Sequence, residues 1–362
     1  MGGSTRRVAV IMAGGSGERF WPLSRKTRPK QLLRIASATQ TLIEQAIDRI
    51  LPLIPADQVF IATTTILHQA MVDAKLPIPE ANILAEPAKR NTAGCLSWVA
   101  SSLMTRYPGE KVSLAILTSD HLIGAPDRFR ACVDRALTAA ESDDVLVTLG
   151  VRPDRPETGY GYIEVGEDPG PVRRVLRFCE KPTLDVAEKF VAGGRHFWNS
   201  GMFFWTLDTF VKQMEGASPI HGEVTKSVAA ALAAGDSARS VQEFERLPNI
   251  SIDYALMERS PKVLTVEAEF PWDDVGAWDA LERTRTPDAD GNIVEGDPVL
   301  KDVRSSIVIN DAGQANIAVG VIGVAGLLVI VSKDSVLVCP KDAAQEVRHI
   351  PRELDRKGYK QV

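Results

Sequence analysis

The sequence predicts an α/β fold, an open sheet with helices on both faces, followed by a small β-rich C-terminal domain. Three observations point there. Short, continuous apolar runs that stop at turn residues recur through the first half, as in strands buried in a parallel sheet. Stretches with helical spacing alternate with them four times. From about Asn292 that spacing gives way to alternating Val, Ile and Gly, which fits short strands and tight turns. The chain thus divides into 1–288 and a β-rich 289–362 that ends in a helix-prone tail from Lys341, its length limited by Pro351.

Val8 to Ala13 is the first apolar run and stops at Gly14-Gly15. Thr41 opens a helix as its N-cap, and Glu44 completes a capping box. Leu42, Ile43, Ala46, Ile47 and Ile50 then share one helical face. A strand over 58–63, a helix over 92–104 and a strand over 112–117 follow, the last ending at Ser119-Asp120-His121. Phe129, Cys132, Val133, Ala136, Leu137 and Ala140 keep helical spacing before a strand over 145–149. Beyond residue 150 come an antiparallel strand at Ile163–Val165, a short helix at 186–191, a strand at Phe203–Trp205 and a helix beginning at Asp253. Val329 to Val338 reads as a hairpin around Lys333-Asp334. Ligands on open α/β sheets bind outside the carboxyl ends of the strands, so the informative loops follow residues 13, 63, 117 and 149.

Composition narrows the function. Apolar residues make up 44% and charged residues 25% of 362, enough for a sizeable core. Lys plus Arg is 42 against 47 Asp plus Glu, so no basic excess marks a nucleic-acid binder. The cysteines, Cys95, Cys132, Cys179 and Cys339, form no C-x-x-C pair and read as reduced thiols of a cytoplasmic protein. No secretory segment precedes the first strand, and the apolar stretch 317–331 is broken by glycines, so no membrane association is expected.

The strongest chemical signal runs from Ala13-Gly14-Gly15-Ser16-Gly17 through Glu18-Arg19-Phe20-Trp21-Pro22-Leu23 to Arg28-Pro29-Lys30-Gln31. Glycines after a strand let backbone N–H groups crowd a phosphate. Arg19 and Lys30 add cations for the distal phosphates. The dinucleotide pattern G-x-G-x-x-G fails at Phe20, which argues against a dehydrogenase, and no G-K-[ST] follows.

That string resembles the signature of the sugar-phosphate nucleotidyltransferases, in the variant of the mannose-1-phosphate guanylyltransferases (GDP-mannose pyrophosphorylases). Further segments are similar in family order: Glu86-Pro87 with Arg90-Asn91-Thr92-Ala93, Ser119-Asp120-His121, Gly159-Tyr160-Gly161-Tyr162-Ile163, Glu180-Lys181-Pro182, Trp198-Asn199-Ser200-Gly201, Ser251-Ile252-Asp253-Tyr254-Ala255, and Trp272-Asp273-Asp274-Val275-Gly276. The departures are Gly94-Cys95, where the family often has Pro after Asn-Thr-Ala, and Ser119, where it often has Ala. Many bacterial relatives carry a further isomerase domain; with its last residue at Val362, this chain is expected to lack that activity.

The resemblance implies a Rossmann-like, GT-A-like open mixed sheet with a short left-handed β-helix-like C-terminal domain. It implies GTP and mannose 1-phosphate as substrates, GDP-mannose and pyrophosphate as products, and a homodimer. A sugar phosphate is already a dianion near neutrality, with a second pKa of about 6, so no general base is needed. Charge neutralisation is the task instead. Asp120 and Asp274 are the expected ligands of Mg²⁺, for which Mn²⁺ can substitute, with W-x-D-x-G selecting Asp274 over Asp273. Arg19 and Lys30 would hold the β- and γ-phosphates. Ala13, Gly14, Gly15, Gly17, Glu86, Asn91 and Thr92 would line the nucleotide site, although Asn91 and Thr92 equally fit a helix cap. Gly161, Glu180, Lys181 and Asn199 would take the sugar phosphate, with an inert surface ion pair as the competing account of Glu180 and Lys181. Two rival functions stand beside this one: the same chemistry on another base or on a glucose or heptose phosphate, and a non-catalytic regulatory homologue.

Overall fold

The computed structural model describes residues 5–313 and 316–362; the opening Met-Gly-Gly-Ser lies outside them. The chain forms two compact units. One holds residues up to Ala13, 46–118 and 123–272; the other holds 14–45, 119–122 and 273–362.

The first unit is built on a nine-stranded mixed sheet. Its strands are β1 (Arg6–Met12), β2 (Val59–Thr64), β3 (Ile83–Glu86), β4 (Val112–Thr118), β6 (Leu146–Val151), β7 (Gly161–Val165), β8 (Val172–Glu180), β9 (His196–Thr206) and β10 (Val263–Glu267). A two-residue strand β5 (Leu122–Ile123) follows β4 in the chain. The spatial order is β3-β2-β1-β4-β9-β6-β10-β8-β7, with β7 also paired to β9. The pairs β3-β2, β2-β1 and β1-β4 are parallel, whereas β9 runs antiparallel to β4 and β6. Two arginines open β1, where Arg6 pairs with Glu110 and Arg7 with Glu141. Val8 to Ile11 follow, with no surface left to water.

Strand pleating splits those residues between two faces. Val8 and Val10 join Leu114, Ile116 and the helices α3 (Asn91–Arg106) and α6 (Leu207–Ala217) in one core. Helix α4 (Pro126–Ser142) packs on β4, β6, β9 and β10 through residues outside that core. Its buried set, Phe129, Cys132, Val133, Ala136, Leu137 and Ala140, is the helical face expected from spacing. Sequence spacing predicts neither α2 (Thr65–Asp73) nor β3. Only Leu67 and Met71 of α2 are buried, so its period is faint, and β3 is four residues long. Asp253–Met257 closes as a π-helical turn rather than an α-helix.

In the second unit, β12 (Ile293–Glu295), β14 (Ile307–Asn310) and β16 (Leu327–Val331) stack in parallel register. β13 (Val299–Lys301) and β15 (Gly320–Ile322) form a second parallel pair, giving a β-helix-like coil. β17 (Val336–Pro340) folds back antiparallel on β16, the expected hairpin. The tail differs from expectation. A 3₁₀ segment, Lys341–Arg348, precedes helix α10 (His349–Arg356). Pro351 lies in the first turn of α10, where a missing N–H costs no internal bond, so it does not limit the helix.

This unit's core joins Phe20, Trp21 and Leu33 to Trp278, Ile293, Ile307, Leu328 and Ile330. The loop after β1 is therefore seated on the C-terminal strands. The Trp278 indole N–H donates to the Trp21 carbonyl at 3.0 Å. Helix α1 (Leu42–Ile50) starts with the expected capping box: the Thr41 N–H donates to Glu44 Oε2 at 2.7 Å, and the Glu44 N–H donates to Thr41 Oγ1 at 3.3 Å. Thr41→Ala should cost about 1 kcal/mol. Urea unfolding should show a lower midpoint at an unchanged m-value; an unchanged midpoint would contradict this account of α1.

Candidate active site

Within the second unit the glycine-rich loop is fixed by close approach. Gly17 has φ +67°, and a Cβ there would stand 2.3 Å from Lys30 Cβ. Only glycine fits the angle and the space. The Ser24 hydroxyl donates to the Gly17 carbonyl at 2.7 Å. Lys30, 5% exposed, opens a 3₁₀ turn, Lys30–Leu32. Its ammonium donates to Asp120 Oδ2 at 3.0 Å and to the Asp274 carbonyl at 2.9 Å, and it stands 5.4 Å from the Phe20 ring centroid. One nitrogen thus ties together three of the expected catalytic residues.

Burial works against the charge on Asp120. Lys30 and His121 outweigh it and hold the carboxyl below its usual range. Asp274 is part of a tight turn. Val275 has φ +47°, and a Cβ at Gly276 would meet Asp274 Oδ2 at 2.8 Å. Asp273 is engaged elsewhere, accepting from Arg283 Nε and the Val275 N–H, both at 2.8 Å. Arg19 belongs to the same unit, and its buried Nε has no partner among the described residues.

Asp120 and Asp274 supply hard oxygen donors, and the Asp120 side chain is 36% exposed. A positive group already stands against Asp120. Among the described residues no three His, Cys, Asp or Glu side chains gather as a ready-made cage. Such a pair fits a divalent cation whose remaining ligands are phosphate oxygens and water.

The first unit holds the other expected residues, in two clusters. The pairings Met12↔Ala62, Met12↔Thr118 and Thr64↔Glu86 align the carboxyl ends of β1 to β4 at one edge. Ala13 leaves that edge with its N–H on the Ala62 carbonyl, while its own carbonyl accepts from the Thr63 hydroxyl. Glu86 ends β3, buried, and its Oε2 has no hydrogen-bond partner among the described residues. Burial pushes its carboxyl up to about 7, against the Arg90 N–H and the charges of Lys89 and Arg90. Asn91 enters α3 at φ +60°, and its Oδ1 accepts from the Thr92 N–H at 2.8 Å. Thr92 Oγ1 accepts from the Ile252 N–H at 2.8 Å, anchoring the π-helical segment to α3. The departure at Gly94 has a steric reason, since a Cβ there would stand 2.3 Å from Arg90 Cβ.

The second cluster lies where β7, β8 and β9 meet. Gly161 is the register partner of Glu180, and a Cβ on it would stand 2.6 Å from Glu180 Oε2. Lys181, at φ +44°, donates to Glu180 Oε1 at 2.6 Å. Asn199 Nδ2 donates to Asp253 Oδ1 at 2.8 Å, while Asn199 Oδ1 accepts from the Thr148 hydroxyl and the Gly201 N–H at 3.3 Å. Asp253 has no role expected from the sequence. Burial, with the Glu180 charge, holds its carboxyl above the usual range despite the Asn199 bond. Its only signal was its place in the Ser251–Ala255 string.

Two family models match the chain. The nucleotidyl transferase family model matches residues 8–290, and a mannose-phosphate isomerase/GMP-like β-helix domain model matches 296–354. A mannose-1-phosphate guanylyltransferase of Escherichia coli is 32% identical over 99% of this chain and 78% of its own length. One from Sinorhizobium fredii is 35% identical over 96% of this chain and 67% of its own length. The crystal structure of a mannose-1-phosphate geranyltransferase from Thermus thermophilus superposes with a TM-score of 0.86 at 36% identity, covering 97% of this chain and 100% of that one. With a glycine-rich loop, an Asp-His segment and a W-x-D-x-G turn brought to one lysine, this chain belongs to the nucleotidyl transferase family, among the mannose-1-phosphate guanylyltransferases.

Proposed function

We propose that this protein makes GDP-mannose and pyrophosphate from GTP and mannose 1-phosphate. The observation that carries the proposal is the Lys30 ammonium held between Asp120 and Asp274. A non-bridging oxygen of the sugar phosphate forms a bond to the α-phosphorus, and the bond to the bridging oxygen of the β-phosphate breaks. Pyrophosphate leaves with that electron pair, and no proton need be removed from the nucleophile.

In this reading the loop amides of Gly14, Gly15 and Gly17 line the nucleotide phosphates, and Arg19, whose Nε lacks a partner among the described residues, takes the distal ones. Lys30 holds the two aspartate segments in place and presents positive charge to the phosphates. Asp120 and Asp274 would hold the divalent cation, Mg²⁺ with Mn²⁺ as a substitute, which when bound offsets the charge of the phosphates. Ala13 lies beside the base site, and the Glu86 carboxylate, one oxygen of which has no partner among the described residues, accepts from guanine N1–H and the 2-amino group. Asn91 and Thr92 shape that pocket through the helix start and the Ile252 tether. Glu180 and Asn199 hydrogen-bond the sugar hydroxyls, Gly161 leaves room beside Glu180, and Lys181, 64% exposed, reaches the sugar phosphate.

We place the division between catalytic segment and C-terminal domain at 288/289. We also read the protein as a cytoplasmic homodimer. All four cysteines are free thiols, and no described helix is long and apolar enough to cross a membrane. Val299 at 74% and Ile322 at 69% exposure put apolar surface on the β-helix, as expected of a face that another copy covers.

Mutation, pH and substrate choice test these assignments. Asp274→Ala should lower kcat by about 10²-fold or more, the scale of losing one strong transition-state contact. Pyrophosphate release at saturating Mg²⁺ measures it, and undiminished turnover would remove Asp274 from the site. Glu86 binds its proton more tightly in the folded chain than in the unfolded one. Stability therefore falls as pH rises from about 4.5 to about 7, by on the order of 3 kcal/mol. Glu86→Gln should accordingly be more stable than the wild type at pH 8 and nearly equal to it at pH 4, while its KM for GTP rises. The wild-type KM for GTP should also rise as pH falls below 7. Equal rates with UTP and GTP in the wild type would defeat the guanine assignment. Ile322→Asp should sediment as a monomer with unchanged circular dichroism; a dimer would move the interface elsewhere.

A further inference from the structure

The segment that carries Lys30 has a second face. Arg28 and residues 32–35 border a cavity of about 560 Å³ whose whole lining belongs to the unit containing the β-helix. One side is basic. Arg28 and Arg34 are exposed, Arg34 makes no ion pair among the described residues, and Arg28 comes no nearer to a carboxylate than 4.0 Å, at Asp311. Acidic groups line the side formed by the C-terminal strands, where Glu295 and Asp311 present carboxylates. Arg285 braces the two, donating from Nη1 to Glu295 Oε2 at 2.7 Å and from Nε to the Ile35 carbonyl at 3.2 Å. Leu32 and Ile35 add apolar surface.

We infer that this cavity binds a small phosphorylated sugar or polyol as an effector, with its phosphate on Arg28 and Arg34 and its hydroxyls on Glu295 and Asp311. The volume lies within the usual 300–1,000 Å³ range of small-molecule sites. Guanidinium forks match phosphate oxygens. Carboxylates accept hydrogen bonds from hydroxyls and repel a second anionic group, so a neutral polyhydroxylated body suits that wall and a polyphosphate does not. The C–H face of such a body can lie on Leu32 and Ile35.

The occupant would bear on catalysis through the backbone. Leu32 shares a 3₁₀ turn with Lys30, and the Leu33 N–H donates to the Lys30 carbonyl at 2.9 Å. A ligand pressing on this turn changes the setting of the ammonium at Asp120 and Asp274, so its binding and that of GTP are linked reciprocally. Only this kinetic consequence rests on the proposed function.

The test is calorimetric titration of the full chain with glucose 6-phosphate, inorganic phosphate and glucose, at saturating mannose 1-phosphate. The variants are Arg34→Glu, which reverses an exposed charge, and Ala38→Trp, which fills the cavity from an exposed position on its lining. Glucose 6-phosphate should bind the wild type with a submillimolar Kd, phosphate at least 10-fold more weakly, and glucose not measurably. Arg34→Glu should weaken glucose 6-phosphate at least 10-fold and Ala38→Trp should abolish its binding, with GTP affinity within two-fold of the wild type in both. Glucose 6-phosphate should shift the KM for GTP two-fold or more in the wild type alone.

No binding to the wild type, or binding untouched by either variant, overturns the proposal. Equal affinity for phosphate and glucose 6-phosphate removes the sugar body and overturns it too. So does a changed sedimentation coefficient in Ala38→Trp with no probe bound by the wild type, which marks the cavity as a protein–protein contact. Binding that follows these predictions in a protein inactive with GTP and mannose 1-phosphate would sustain the cavity and defeat the proposed function.

Discussion

Lys30 carries its charge into a place where 5% of its surface meets water, and two oxygens make that tolerable. A buried charge without partners is costly, and removing either oxygen would expose that cost. The constraint propagates outward. Gly17 must lack a Cβ because the Lys30 backbone and Cβ press against it. Asp273 is held by Arg283 and the Val275 N–H, which fixes the turn from which the Asp274 carbonyl faces the ammonium. Loop, Asp-His segment and W-x-D-x-G turn are therefore set by one another, although they lie far apart in the chain.

Three carboxyl groups of the candidate site differ in electrostatic state. Asp120 is stabilised as a carboxylate by its lysine neighbour. Glu86 and Asp253 are held above their usual range by burial that neighbouring groups only partly offset. A folded protein that keeps such groups gives up stability for them, and perturbed carboxylates beside unsatisfied polar atoms are characteristic of binding sites. Structural ion pairs engage many other charges here, as at Arg7 with Glu141.

Much of this was legible in the chain. The capping box at Thr41 and Glu44 and the buried face of α4 follow from local spacing, and both depend only on residues a few positions apart. The carboxyl-end rule pointed to the loops where Gly14 and Asp120 lie. Periodicity reports that a residue is buried, not what buries it. Phe20 and Trp21 gave no sign that their partners were Ile293, Ile307 and Leu328. Asp253 carries little signal for a related reason, since its significance lies in Asn199, a contact 54 positions away. Pro351 misled because a proline reads as a stop, whereas in a first turn it is a start.

The path of the backbone carries a consequence for anyone who recombines this protein. The chain changes unit after Ala13, Gln45, Thr118, Leu122 and Trp272, and the stretch 14–45 shares its hydrophobic core with residues 273–362. A chimaera that exchanges only the C-terminal strands would give Phe20, Trp21 and Leu33 a foreign surface to fill. Crossover points chosen for shuffling should therefore move the glycine-rich loop and the β-helix as one inheritance, even though more than two hundred residues of sequence separate them.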